Sequence, residues 1–544
     1  MISRRRFLHG SAASVLTGFL PALRAAAPEG ARVATVIGND AYGTAPLANA
    51  VNDAKAMAEL LARAGFAVDI RTDTTAEVLS AAARDFGKLI ARPQTRLAFF
   101  YFAGHGVQVD WRNYLLPVDA NVTSVEELKR QCLDMGVLLE AMGKARERTF
   151  VVVLDACRDN PFGERWQTER KGLSQFDAPV GSLIAFSTAP GSVASDGPGR
   201  HGLYTENLVK ELAVRGARIE DALKRVRLGV RLASKGAQIP WESTSLESDV
   251  YVLEPETALS AEQDEKRFEA EYEHWKRIHL SVNPDDWAAF LREYPNGRMS
   301  EIAQMNLDRL LRREEGRGGG KGRRTVPRLR LGSGLPVPDF LARSKNPYSA
   351  GTYRTDRHYT IGDLAMFRVL DGETGRFVRS MTLKVTRIDA AANAVELNGG
   401  NRVLDLLGNP IRVGKRHWDP PPQAVPAELQ VGKRWIARFR LTKGKKGGDF
   451  ETEFQVVRRE KVVVPAGEFD AFRIEGATRR NRPGSFDPHP RGPAGGRSES
   501  IIWLVPGVNF AVKSEHLVSR PDDEGSKHDV TELVSLSQAG REDD

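Results

Sequence analysis

The sequence predicts a multidomain protein: an α/β three-layer sandwich over residues 31–253, a helical hairpin or repeat-like segment over 261–313, and a mostly antiparallel β domain over 347–538. Three observations carry this reading. Apolar runs of strand length alternate with helical patterns in the first part, a helix-period segment follows, and the last part alternates apolar and polar residues between turn signals. At 544 residues the chain is also too long for a single hydrophobic core.

At the N-terminus, Arg4, Arg5 and Arg6 precede an apolar stretch to Leu20 and small residues from Ala25 to Ala27. That order is the layout of a removable export signal over residues 1–27, of the twin-arginine type, which directs a folded protein to the bacterial periplasm. No internal stretch approaches the roughly 20 apolar residues of a transmembrane span. The net charge is +8, but much of the excess lies in tails and a linker, so nucleic acid is not an expected partner.

Within 31–253 the elements follow in order. ARVATVIGN reads as a strand, LANAVNDAKAMAELLARAGF as an amphipathic helix stopped at Gly65, and AVDIRTD as a second strand. TTAEVLSAAARDFGKLI is a helix capped by Thr74 or Thr75, with Glu77 in its first turn. RLAFFYFAG is a third strand, VEELKRQCLDMGVLLEAMGKA one helix, and TFVVVLDA and SLIAFST two further strands. TENLVKELAV and RIEDALKRVRLGVRLAS close the unit as helices. Helices of this length between strands imply parallel strands joined by right-handed crossovers.

Two strands end in polar turns that carry chemistry: Gly104-His105-Gly106 after the third, and Cys157-Arg158-Asp159 after TFVVVLDA. C-terminal ends of parallel strands share one edge of a sheet, so His105 and Cys157 can meet although 157 − 105 = 52 positions separate them. A thiol of pKa about 8.5 is little ionised at neutral pH; a neighbouring imidazole raises its thiolate fraction and later protonates a leaving amine. Glycines on both sides of His105 leave room for a substrate backbone, and the N–H groups of Gly106 and Cys157 are candidates for an oxyanion hole. Taken singly, either residue reads as packing; order, spacing and placement together point to a dyad. The chain has two cysteines, and Cys132 lies in a helical pattern where a lone cysteine is a buried small hydrophobe rather than a disulfide partner of Cys157.

The same segment resembles the caspase and metacaspase superfamily of cysteine proteases, in which a histidine lies about 50 residues before the cysteine. The resemblance rests on VATVIGNDAY, LANAVNDAKAMAELL, FFYFAGHGVQ, NYLLPVDA, VVVLDACRDNPF, GSLIAFSTAPGSVASDG and QIPWESTSL, and looks closest to the bacterial caspase-like branch. It implies His105 and Cys157 as catalytic dyad and a cysteine endopeptidase acting on protein or peptide substrates. Caspases proper carry Gln-Ala-Cys-Arg-Gly, whereas this chain has Asp155-Ala156-Cys157-Arg158-Asp159. An acid two residues before the nucleophile resembles metacaspases, where it lines the primary pocket with the aspartate of an Asn-Asp motif, here Asn52-Asp53. Two carboxylates in a partly dehydrated pocket favour arginine or lysine and repel aspartate. The bland alternative is that Asp155 orients a turn and Asp53 caps a helix or faces solvent. Where bacterial relatives often read Asn-Ser-Pro-Tyr, this chain has His201-Gly202-Leu203-Tyr204, and His201 reads as a loop histidine, not the base. Arg165, Arg170 and Lys171 lie where family members join their larger and smaller catalytic parts, and are the expected positions of autoprocessing.

No cofactor or metal site is expected. Calcium activation, known in some metacaspases, needs carboxylates gathered in space, which linear sequence does not establish. The segment 261–313, with its Tyr294-Pro295-Asn296-Gly297 break, resembles helical-repeat hairpins of bacterial envelope proteins and offers either a protein-docking face or a spacer. Residues 314–346 are glycine-rich, basic and proline-punctuated, a flexible linker. The β domain holds no second cysteine nucleophile and reads as a binding or anchoring module built on an antiparallel sheet or half-barrel. The rival to an enzyme is a non-catalytic scaffold that keeps the fold for protein interaction; retention of both His105 and Cys157 favours the enzyme.

Overall fold

A computed structural model describes residues 31–145, 148–157, 161–162, 166, 172–189, 199–257, 260–315, 328–338, 341, 346–355, 357–481, 498–518 and 527–539. The expected leader at 1–27, the expected processing residues Arg165, Arg170 and Lys171, and the middle of the expected linker lie outside these residues.

The first unit runs β1 (Ala31–Gly38), α1 (Ala50–Arg63), β2 (Ala67–Thr72), α2 (Ala76–Ile90), β3 (Thr95–Val109), β4 (Arg112–Leu115), α3 (Val125–Gln131), β5 (Leu133–Asp134), α4 (Gly136–Lys144), β6 (Thr149–Cys157), β7 (Ser182–Phe186), α5 (Leu203–Leu212), α6 (Ile219–Ala233) and β8 (Trp241–Thr244). Its sheet has the order β2-β1-β3-β6-β7-β8. β1, β2, β3, β6 and β7 pair in parallel, as the alternation of strands and helices requires.

The central strand β3 shows why its sequence is a near-continuous apolar run. Phe99, Tyr101 and Ala103 enter one core with α1, α5 and α6, while Ala98, Phe100 and Phe102 enter the other with α2 and α4. A strand covered on both faces has no polar side to show. Each fully buried phenylalanine contributes about 1.5–3 kcal/mol relative to exposure.

The sheet departs from the sequence reading in three places. It is mixed, because β8 pairs antiparallel with β7 and β4 antiparallel with β3. β3 does not end at Gly104; it continues to Val109 and turns back through Asp110 and Trp111, both at positive φ, into β4. The single helix expected over 125–145 is broken, because Cys132 leaves helical geometry at φ −106° and ψ 154° and Leu133–Asp134 pairs with β4. Cys132 is buried and a free thiol.

Three helices follow: α7 (Ala261–Ile278), α8 (Pro284–Glu293) and α9 (Ser300–Glu315). Ser260 and Gln263 close a capping box at the start of α7. Trp287, Phe290, Leu291, Ile278 and Leu307 pack together with Leu228 of α6, so the helical segment is fastened to the first unit. On its other side Met305 of α9 enters a core with Trp435, Phe454 and Phe472 of the C-terminal domain.

Part of the expected linker is strand: β9 (Leu329–Gly332) pairs with β23 (Lys527–Gln538), because Leu329 and Leu331 alternate into the core. β10 (Thr352–Arg354) and β17 (Glu428–Gln430) form a separate two-stranded ribbon. The remaining strands, β11 (Leu364–Asp371) to β16 (Arg416–Asp419) and β18 (Arg434–Lys443) to β23, pair in succession, and β23 pairs back with β11. The domain is thus antiparallel as expected, and β11 to β16 with β18 to β23 close into a ring rather than a half-barrel, while β9 pairs with β23 alone.

Candidate active site

His105 sits inside β3, not beyond it. Ala103 is opposite Asp155 and Gly106 is opposite Cys157, so Gly104 and His105 share the single residue Ala156 across the ladder. This register slip is a bulge, which bends a strand and re-aims a side chain. It sets His105 next to the position that faces Cys157, the last residue of β6. The glycines flanking His105 are there for close approach. A Cβ on Gly104 would meet the Tyr42 hydroxyl at 2.6 Å, and one on Gly106 would meet the Ala156 carbonyl at 2.9 Å.

His105 is 4% exposed. Its Nε2 lies 2.7 Å from the Ala45 carbonyl oxygen, which can only accept, so Nε2 carries a proton and donates to it. The Tyr42 hydroxyl accepts from the His105 backbone N–H at 2.9 Å and donates to the Leu116 carbonyl at 3.0 Å. The two rings lie 4.4 Å apart, centroid to centroid.

The loop that brings Tyr42 and Ala45 over His105 is itself tied down. Buried Asn39 accepts from the Thr74 N–H and hydroxyl and donates to Leu116 O. Asp73, at φ 48°, accepts from the N–H groups of Asp40 and Ala41. Thr44 donates to Pro161 O, joining this loop to the segment after the candidate nucleophile. Asn39, Tyr42 and Ala45 were not singled out from sequence. A tyrosine and an asparagine just after a buried strand were the available signal, but a carbonyl ligand such as Ala45 leaves no mark on residue type.

Asp53 and Asp155 are buried, at 1% and 4% exposure. Asp53, in the first turn of α1, accepts from the Gly202 N–H with both oxygens at 3.1 Å and pairs with His201 Nδ1 at 3.0 Å. Asp155 accepts from the Thr205 hydroxyl at 2.9 Å, which lies 2.6 Å from the Tyr101 hydroxyl. The two carboxylates therefore converge on one short stretch, residues 201–205 at the start of α5, whose N-terminal dipole favours negative charge. Burial, then Asp155 and Asp53, push the Tyr101 hydroxyl well above its ordinary pKa, so Tyr101 stays a neutral donor. His201 lies in the loop before α5, as read from sequence; its pairing with Asp53 was not foreseen.

Cys132 is distant in role. Burial, with a smaller contribution from Asp119, pushes its thiol up to about 12, so it is inert as a nucleophile. Among the described residues, no three His, Cys, Asp or Glu side chains gather in a metal-holding group. No helix among them is long and apolar enough to cross a membrane.

Residues 31–251 match the family model described as the caspase domain. No curated protein matches the chain.

Proposed function

Residues 31–251 are a caspase-family domain of the cysteine peptidase type, and from that premise we propose that the protein is an endopeptidase using Cys157 and His105, with cleavage after arginine or lysine. The observation that carries the proposal is the bulge in β3, which sets His105 beside Gly106, the residue paired with Cys157.

In the proposed cycle His105 Nδ1 takes the Cys157 proton and Sγ attacks the scissile carbonyl. Negative charge on that oxygen is met by the N–H groups of Gly106 and Cys157. Ala45 O, holding Nε2–H, orients the ring and favours its charged form, the part a carboxylate plays in other triads. As the C–N bond breaks, the imidazolium gives its proton to the leaving amine, leaving a thioester. Water, deprotonated by His105, then attacks the thioester and releases Cys157.

The specificity rests on Asp155 and Asp53, two buried carboxylates gathered at the start of α5. A guanidinium or ammonium group is attracted there and an aspartyl side chain is repelled. Helices of both cores around the sheet support the three-layer reading of this domain. The same proposal includes twin-arginine export to the periplasm, processing at Arg165, Arg170 or Lys171, function without a cofactor, and a protein-binding role for the helical and β modules.

The test is hydrolysis of paired arginyl and aspartyl peptide reporters by the full chain beside Cys157→Ala, with and without calcium. The expected result is cleavage after arginine alone, absent in the variant. No cleavage of either reporter under any condition would shift the function to the scaffold reading.

A further inference from the structure

The caspase-family match ends at residue 251, yet the chain beyond it reaches back to the segment that follows the candidate nucleophile. That segment, residues 172–181, leads into β7. Its first part lies against the site: Leu173, 1% exposed, comes within 3.0 Å of where a Cβ on Gly106 would stand. From within the domain it is held by Asn113, whose side chain donates to Ser174 O at 2.8 Å and accepts from Ser174 N at 2.6 Å.

The opposite side is held by the entry to the C-terminal module. Asn346 donates to Ser174 Oγ at 3.2 Å and to Gln175 O at 2.7 Å. Asp177 accepts from the Ser349 hydroxyl at 2.6 Å and the Ala350 N–H at 2.7 Å, and its own N–H donates to Tyr348 O at 3.0 Å. Gln175 donates to Thr352 Oγ1 at 2.8 Å, and Phe176 meets the Tyr348 ring edge-on at 5.7 Å. Ser174, Gln175, Phe176, Asn346 and Ser349 are all buried by this contact and their surroundings. Such a density of satisfied polar contacts between segments about 170 residues apart fixes a single arrangement of both.

We infer that residues 346–352 clamp residues 174–177 and thereby hold Leu173 against Gly106, which makes Asp177 a positioning residue for the peptidase and the C-terminal module part of the working catalytic unit. The inference rests on the peptidase reading above for its kinetic consequence, but not for the clamp itself. Without Asp177 the segment loses its carboxylate anchor, Leu173 withdraws, and the Gly106 N–H is no longer fixed where the oxyanion forms. A displacement of this kind acts on turnover rather than on substrate capture.

The experiment compares the full-length chain with Asp177→Ala by peptide hydrolysis and by amide hydrogen exchange. Expected is a fall in kcat of about tenfold or more with KM within about twofold, together with faster exchange at 104–107 and 172–178. Ser349→Ala, which leaves the Ala350 N–H in place, should move both readouts the same way by less, and stands in if Asp177→Ala does not fold. In an active chain, loss of kcat without faster exchange at 104–107, or faster exchange there without loss of kcat, overturns the inference. If the unaltered chain hydrolyses nothing, the peptidase reading has failed, and exchange at 104–107 alone decides the clamp.

Discussion

Tyr42 shows how much of the candidate site hangs on one side chain. Its hydroxyl accepts from the His105 N–H and donates to Leu116 O, and its ring lies against the imidazole. The bulge frees the His105 N–H from the sheet ladder, and a buried N–H without an acceptor is costly, so the tyrosine is what lets the bulge persist. Tyr42→Phe keeps the ring and removes the acceptor. The expected result is a loss of about 1–3 kcal/mol in stability by chemical unfolding, with a fall in kcat larger than any change in KM. Unchanged stability and unchanged kcat would mean that β3 holds His105 without help. His201 illustrates the opposite direction of influence: a half-buried loop histidine reaches a carboxylate that is 1% exposed, so Asp53 is anchored before any substrate arrives.

Among the elements, legibility followed chemistry that residue types announce. β6 and β7 were readable because strands buried on both faces carry apolar runs closed by turn residues, and of the two candidate caps of α2, Thr74 and Thr75, it is Thr75 whose hydroxyl accepts from the Val78 N–H. The nearness of His105 and Cys157 in the sheet was readable because their strands run parallel and end at one edge. The bulge was not, since Gly104-His105-Gly106 looks the same whether a strand ends there or slips register. β4 and β5 were missed because strands of four and two residues have too little periodicity to stand out. The break at Cys132 came from pairing of Leu133–Asp134 with β4, a tertiary demand that overrode local helical preference. Ring closure between β11 and β23 joins strands at opposite ends of the β domain, and nothing local encodes such a contact.

Across the whole molecule, the three units are joined by buried charge as well as by apolar packing. Arg227 of α6 pairs with Glu242 of β8 and Glu428 of β17, and Arg231 pairs with Asp308 of α9. Glu301 of α9 accepts from Lys433 at 2.9 Å and from the Ala427 N–H at 2.9 Å. Burial acts to raise the Glu301 pKa, but Lys433, Lys224 and the Ala427 N–H outweigh it and hold the carboxyl below its ordinary value. A carboxyl whose folded pKa is depressed stabilises fully above its unfolded value, about 4.3, and loses that contribution as pH falls through the folded value. Glu301→Gln should therefore cost stability at pH 7, on the order of 3 kcal/mol for a buried pair robbed of one partner, and the difference should shrink on acidification below about pH 4. A pH-independent difference would mean that Glu301 acts through shape alone. The same junction explains how a domain outside the family match can touch the matched one: α9 and the β10–β17 ribbon are fixed against α6 and β8, and from that platform residues 346–352 reach the segment behind Gly106.

In the proposed mechanism Cys157 is a nucleophile activated by His105 in a pocket that prefers basic side chains. This mechanism is tested most directly by treating the folded full-length chain with arginyl and aspartyl chloromethyl ketone peptides and locating the adduct by mass spectrometry. The arginyl reagent should give one adduct, on Cys157, with Cys132 spared because its thiol is pushed up to about 12. His105→Ala should abolish this labelling, and the aspartyl reagent should leave the chain unmodified. Labelling that survives His105→Ala, or that falls on Cys132, would contradict it.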